Sequence, residues 1–214
     1  MATSNPRSTC RRVLHAPVVQ IAVLALVAVT MASGQQARQA RAKAKETPLT
    51  AEQLAVYQVL LHDWIDDGKT AINLSTQTAP FPSTGEFDAT GCGKGLDLVP
   101  LAPAGTHRFR TVDVPQLGSG TLALVDPLRQ AKDVDANDPE KSIGKGMPIE
   151  DAVDNGFAHG LVTLSEIRFD KAHKHAIVSY SFRCGGLCGH GGAIQLEKVD
   201  GAWQRKSQCS DWTS

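Results

Sequence analysis

The sequence lacks an excess of either charge: 22 Lys and Arg residues balance 22 Asp and Glu residues. Nothing in that balance favours a nucleic acid or an anionic membrane surface as partner. It also lacks a nucleophile elbow, a phosphate loop and a zinc-protease helix, so no common catalytic class is announced. "GCGKG" at 91–95 has neither the length nor the following Ser or Thr of a phosphate loop, and reads as a turn around Cys92. The apolar run from Val18 to Met31 spans about 14 residues, short of the roughly 20 that cross a bilayer.

What is present begins with an export signal. Arg7, Arg11 and Arg12 precede the apolar run, and the small residues Ala32, Ser33 and Gly34 follow it. Residues 1–34 therefore read as a signal peptide cleaved after Gly34, with an uncleaved membrane anchor as the alternative. The arginine pair of "CRRVLH" suits a twin-arginine signal poorly, because Cys10 stands where Ser or Thr is usual. Cys10 lies ahead of the apolar run and leaves with the signal. The mature chain keeps Cys92, Cys184, Cys188 and Cys209 and is expected to be secreted or periplasmic, where an even set of cysteines oxidises to disulfides. No integral span is expected in it.

Residues 35–48, "QQARQARAKAKETP", have almost no apolar content beyond alanine and read as a flexible basic leader, or else as a surface-binding arm. Residues 49–214 read as one α+β domain, long enough to bury a core without a metal. Thr50 and Gln53 form the pattern of a capping box ahead of a helix whose Leu54, Tyr57, Leu61 and Trp64 share a face, with His62 at its boundary and Gly68 as its stop. In the Pro-, Gly- and Asp-rich middle, "FRTVDV" and "TLALVD" are each expected to be a strand. "DVDANDPE" opens like a calcium loop with Asp133, Asp135 and Asn137. It fails at Asp138 and Gly144, and reads as a solvated acidic loop. "PIEDAVDNGFAHG" reads as a second helix, with Ile149, Val153 and Phe157 toward the core and His159 in the last turn complementing the helix dipole.

The C-terminal quarter divides into four strands, "LVTLSEIRF", "HAIVSYSFRC", "GAIQLEKV" and "AWQRKSQC". Asp200-Gly201 is a two-residue hairpin signal that sets Lys198 opposite Trp203 and Gly192 opposite Cys209. Closing the previous hairpin with Cys184 opposite Gly192 places Phe182 across from Ile194 and Tyr180 across from Leu196. One face then carries Val178, Tyr180, Phe182, Cys184, Ile194, Leu196, Trp203 and Cys209, and the other Ser179, Ser181, Gln195, Glu197, Gln204 and Lys206. The expectation is an antiparallel meander with one wet face and both helices on the other.

In that register Cys184 and Cys209 lie two strands apart, roughly 9 to 10 Å, too far for a disulfide. Two pairings stay open: Cys184 with Cys188 plus Cys92 with Cys209, which the short glycine-rich loop favours, or Cys92 with Cys184 plus Cys188 with Cys209. His173 and His175 sit at the far hairpin and read as solvated turn residues. His159 and His190 return to the Cys184 end, so Cys184, Cys188, His159 and His190 form a candidate tetrahedral zinc set, although their spacing is not that of paired metal ligands. Three residues between Cys184 and Cys188 also differ from a dithiol redox motif.

"CGGLCGHGGAIQLEKVDGAWQRKSQCSDWTS", with the preceding "LSEIRFDKAHKHAIVSYSF", resembles a group of uncharacterised exported bacterial proteins that end in a Cys-Gly-rich hairpin and a terminal Trp-x-Ser. Cys184, Gly185, Leu187, Cys188, Gly189, Gly191, Trp203, Trp212 and Ser214 carry the likeness. It implies bacterial export and assigns no activity. The reading is a disulfide-stabilised binding module without a cofactor, its partner a protein or a cell-envelope component. The alternative is a zinc enzyme or metal-binding protein centred on the Cys184, Cys188 and His190 loop.

Overall fold

The computed structural model describes residues 47–65, 71–82, 92–100, 107–118 and 122–214. The expected signal peptide, nearly all of the basic leader and the Gly68 stop lie outside them. Helix α1 (Ala51–Ile65) starts where its capping residues dictate. Gln53 donates its backbone N–H to the Thr50 hydroxyl at 3.2 Å, and Thr50 returns its own N–H to Gln53 Oε1 at 2.8 Å. Leu54, Tyr57 and Leu61 are buried as their spacing predicts, and Val56 and Leu60 join them, so the covered face is wider than one stripe. The end of the leader is structured: Thr47–Pro48 (β1) pairs in parallel with His107–Arg108 (β3), and Leu49 enters the core.

The main sheet is mixed, which corrects the expectation of a meander alone. Its order is β4-β2-β5-β7-β8-β9, with β6 also on β7. Strand β2 (Ile72–Ser75) lies between β4 (Leu122–Val125) and β5 (Leu161–Leu164) and runs parallel to both. β5, β7 (His175–Arg183), β8 (Gly189–Val199) and β9 (Ala202–Thr213) follow as antiparallel neighbours. "LVTLSEIRF" breaks into β5 and β6 (Arg168–Phe169) because Glu166 turns its N–H to Ala79 O.

Of the two middle strands expected, only "TLALVD" forms one. In "FRTVDV" the Asp113 carboxylate accepts the Arg110 backbone N–H at 2.8 Å and its guanidinium at 2.9 Å, curling Thr111–Asp113 into a 3-10 turn that continues as helix α2 (Val114–Leu117). "DVDANDPE" is no loop either. It spans the end of α3 (Pro127–Ala136) and the start of α4 (Pro139–Gly144). Each of these helices is opened by an Asp-Pro pair whose carboxylate caps backbone N–H groups, Asp126 for α3 and Asp138 for α4.

The β8–β9 hairpin turns at Asp200 and Gly201, both at positive φ (50° and 85°), and pairs Lys198 with Trp203 as predicted. Two irregularities further along β9 move Asp211, not Cys209, opposite Gly192. The β7–β8 hairpin closes tighter than expected, with Phe182 opposite His190, Tyr180 opposite Gly192 and Val178 opposite Ile194. The slip is an even number of residues, so every side chain keeps its face. Val178, Ile194, Leu196 and Trp203 join α1 in the main core, and Tyr180 and Phe182 pack against it. The other face is not wet throughout: Phe81, Cys92, Ile177 and Ala193 form a second cluster with Leu96, Leu98 and Cys209. Cys209, lying at an irregularity, has crossed to that side.

Candidate functional site

The loop from Cys184 to Cys188 is closed twice. The two cysteines form a disulfide with Cα atoms 5.0 Å apart, and Cys184 N–H donates to Cys188 O at 2.8 Å. Asp138 anchors this loop to the helices. Its Oδ1 caps α4 through Glu140 N–H, while Oδ2 accepts Gly186 N–H at 2.8 Å. An aspartate at a helix start thus holds a hairpin loop 48 residues away. The second disulfide, Cys92 with Cys209, has Cα atoms 5.2 Å apart and pins the second-face cover to β9.

Helix α5 (Ile149–His159) packs with the side opposite to the one its apolar stripe suggested. Ala152 and Gly156 are buried, whereas Ile149 is 66% exposed, Val153 37% and Phe157 45%. The reason is close approach: a Cβ on Gly156 would come within 2.5 Å of Pro139 Cγ, so only a face of small residues fits against α4. Val153 and Phe157 are left to line an open groove.

That groove has a volume of about 590 Å³. α4 contributes Ile143 and Glu140, α5 contributes Val153 and Phe157, and the disulfide loop contributes Leu187 with both cysteines. Phe182 and His190 close it from the sheet. The Phe157 and Phe182 rings lie 5.3 Å apart, and the His190 ring lies 5.5 Å from Phe182. The lining is mostly apolar with a few polar groups at the rim, the composition of a binding pocket.

Three of the four proposed metal ligands, Cys184, Cys188 and His190, meet in this groove. His159 does not line it; its carbonyl instead accepts Gln130 Nε2 at 2.7 Å, tying α5 to α3. Both sulfurs are joined to each other, so no thiolate pair faces the histidine. Among the described residues, no group of three or more His, Cys, Asp or Glu side chains is arranged to hold a metal ion.

The far-hairpin histidines are engaged rather than merely solvated. His173 Nδ1 pairs with Glu52 at 2.9 Å and its ring stacks on Phe169, while His175 Nδ1 pairs with Asp170 at 3.0 Å.

Sequence reasoning missed one polar cluster altogether. Buried Glu166 accepts the Thr78 hydroxyl at 2.6 Å, the His107 backbone N–H at 2.5 Å and the His107 Nδ1 at 2.6 Å. Beside it, Tyr57 donates to Ser165 O at 2.8 Å. Burial, with the Glu166 charge adding to it, pushes the Tyr57 hydroxyl well above its ordinary range and keeps it protonated. The cluster clamps β3 and the segment that follows β2 to the bend between β5 and β6. Its members are scattered from residue 57 to 166, and no local pattern links them.

Comparison with protein-family models, with curated proteins and with solved structures finds no match for this chain.

Proposed function

We propose that this chain is an exported, disulfide-stabilised binding module whose groove takes an apolar segment of a partner polypeptide. The observation that carries the reading is the outward pair Val153 and Phe157, which line the groove with Ile143 and Leu187, while Ile149 is exposed one turn earlier on the same helix. Apolar side chains gathered around one groove and rimmed by polar residues mark an interaction surface. The volume is that of a pocket for a few side chains.

Charge argues for a basic partner. Glu140, Glu150, Asp151 and Asp154 are exposed on the helices that carry the stripe. Of the cations on the shorter helix, Lys141 is already paired with Asp135, and Lys145 stands exposed at its far end against the four acids. A partner segment with leucine or phenylalanine anchors and flanking Lys or Arg therefore complements both the groove and its rim.

Backbone chemical-shift mapping with short blocked peptides, Lys-Leu-Leu-Lys and its acidic counterpart Glu-Leu-Leu-Glu, tests this. The basic peptide is expected to shift Val153, Phe157 and Leu187, and Phe157→Ser or Leu187→Asp should abolish the response without changing the fold. No response to either peptide, or a turnover activity that vanishes with His190→Ala, would sink the reading.

A further inference from the structure

The second face of the sheet is covered at one end by the Phe81 and Cys92 cluster and open at the other. Its open end is built from two rows that cross strands β5, β7, β8 and β9. One row is Thr163, Ser181, Gly191 and Trp212, paired in register from strand to strand. The next is Ser165, Ser179, Ala193 and Ser210, the first two joined by Ser165 N–H donating to Ser179 O and the rest paired in register. No side chain in either row is larger than threonine until Trp212. The floor is therefore sunken, and Pro80 and Pro82 stand over it as a wall, enclosing a depression of about 500 Å³.

Two features separate this depression from an incidental dip. Its lining holds no charged side chain, only hydroxyls, prolines, small residues and the aromatic ring of Trp212, with Tyr180, whose ring packs on the other face, reaching it from its strand. The hydroxyl of Ser165 is used internally, donating to Glu166 O and accepting Ser179 N–H. Those of Thr163, Ser179 and Ser181 make no hydrogen bond to the described residues. Trp212 is 46% exposed, and its indole lies over Gly191, where a Cβ would come within 2.6 Å of Nε1. Glycine at 191 is what lets the ring settle onto the sheet and present a face to the depression.

From this geometry we infer that the open end of the second face binds a neutral polyhydroxylated ligand, a saccharide. Hydroxyls both donate and accept, so an array of them matches a ligand whose own groups do the same. An aromatic face complements the apolar C–H face of a sugar ring, and an uncharged lining offers nothing to a phosphate, a carboxylate or an amine. The site lies on the opposite side of the sheet from the peptide groove and does not depend on it.

Isothermal titration of the exported chain with chitohexaose, maltohexaose and polygalacturonate tests the inference. At least one neutral oligosaccharide should bind saturably while the acidic polymer does not. Trp212→Ala should weaken that binding about tenfold or more, with Trp212→Tyr retaining most of it. Thr163→Val and Ser181→Ala should weaken it while leaving the peptide response of the groove and the melting temperature unchanged. Absence of binding to both neutral oligosaccharides overturns the inference, as does binding indifferent to Trp212→Ala or stronger binding of polygalacturonate.

Discussion

Asp113 and Asp170 are buried carboxylates, and each holds a turn by its hydrogen bonds. Burial pushes the Asp113 carboxyl up, but the guanidinium, backbone N–H and charge of Arg110 outweigh it, leaving the group below its ordinary 3.8. At Asp170 burial again acts upward, and the N–H and ring of His175, the N–H of Lys174 and the His175 charge together bring it below 3.8. A depressed folded pKa means that the unfolded chain binds more protons just below the ordinary value. The stabilisation from each group is therefore complete above that value and lost as pH falls through the lower folded one. Urea midpoints of the wild type should drop as pH falls from about 5 to about 2, and those of Asp113→Asn/Asp170→Asn should start lower and drop less. Parallel profiles for the two proteins would remove these carboxylates from the account. Neither role was legible in the sequence beyond its local part. Thr50 with Gln53, and Asp200 with Gly201, could be read because each motif is complete within four residues. Glu166 and His107 could not, since their contact joins residues 59 apart with no periodic signal between them.

Elements were legible in type more often than in orientation. The pattern of the second helix points its apolar stripe inward, yet Ala152 and Gly156 make the contact and Phe157 faces the groove. Hydrophobic periodicity locates a helical face but does not say whether that face meets the core or a partner. The strand alternation of β7 and β8 survived an error in hairpin closure because the slip was even. Cys209 did not survive, because the irregularities on β9 changed its side and brought it to Cys92. The two disulfides consequently differ in what they hold. Cys92 and Cys209 are 117 residues apart, and Cys184 and Cys188 only 4. Chain entropy assigns about 5 kcal/mol to the long loop and about 2 kcal/mol to the short one. Replacing Cys92 and Cys209 by serine should accordingly lower urea stability more than replacing Cys184 and Cys188. The short-loop variant should chiefly weaken the response of the groove to the basic peptide. The reverse order of stabilities would show that the second-face cover adds little to the fold.

At the scale of the molecule, the middle third supplies parts of the fold that no local pattern places. Residues 72–75 and 122–125 extend the sheet, while Phe81, Cys92, Leu96 and Leu98 cover its second face. Their signals were short and interrupted by Pro and Gly, so partners distant in the chain decide their places. The two disulfides agree with an exported chain, and the route can be tested by mass. Cleavage after Gly34, the expected site, would remove Cys10 and leave the four cysteines that the structure pairs. Protein recovered from the exported fraction should begin at Gln35, be lighter than its reduced form by the two hydrogens lost at each disulfide, and take up no alkylating reagent until reduced. An intact N-terminus would instead point to the membrane-anchored alternative, and four freely alkylated thiols would return the Cys184, Cys188 and His190 cluster to consideration as a metal site.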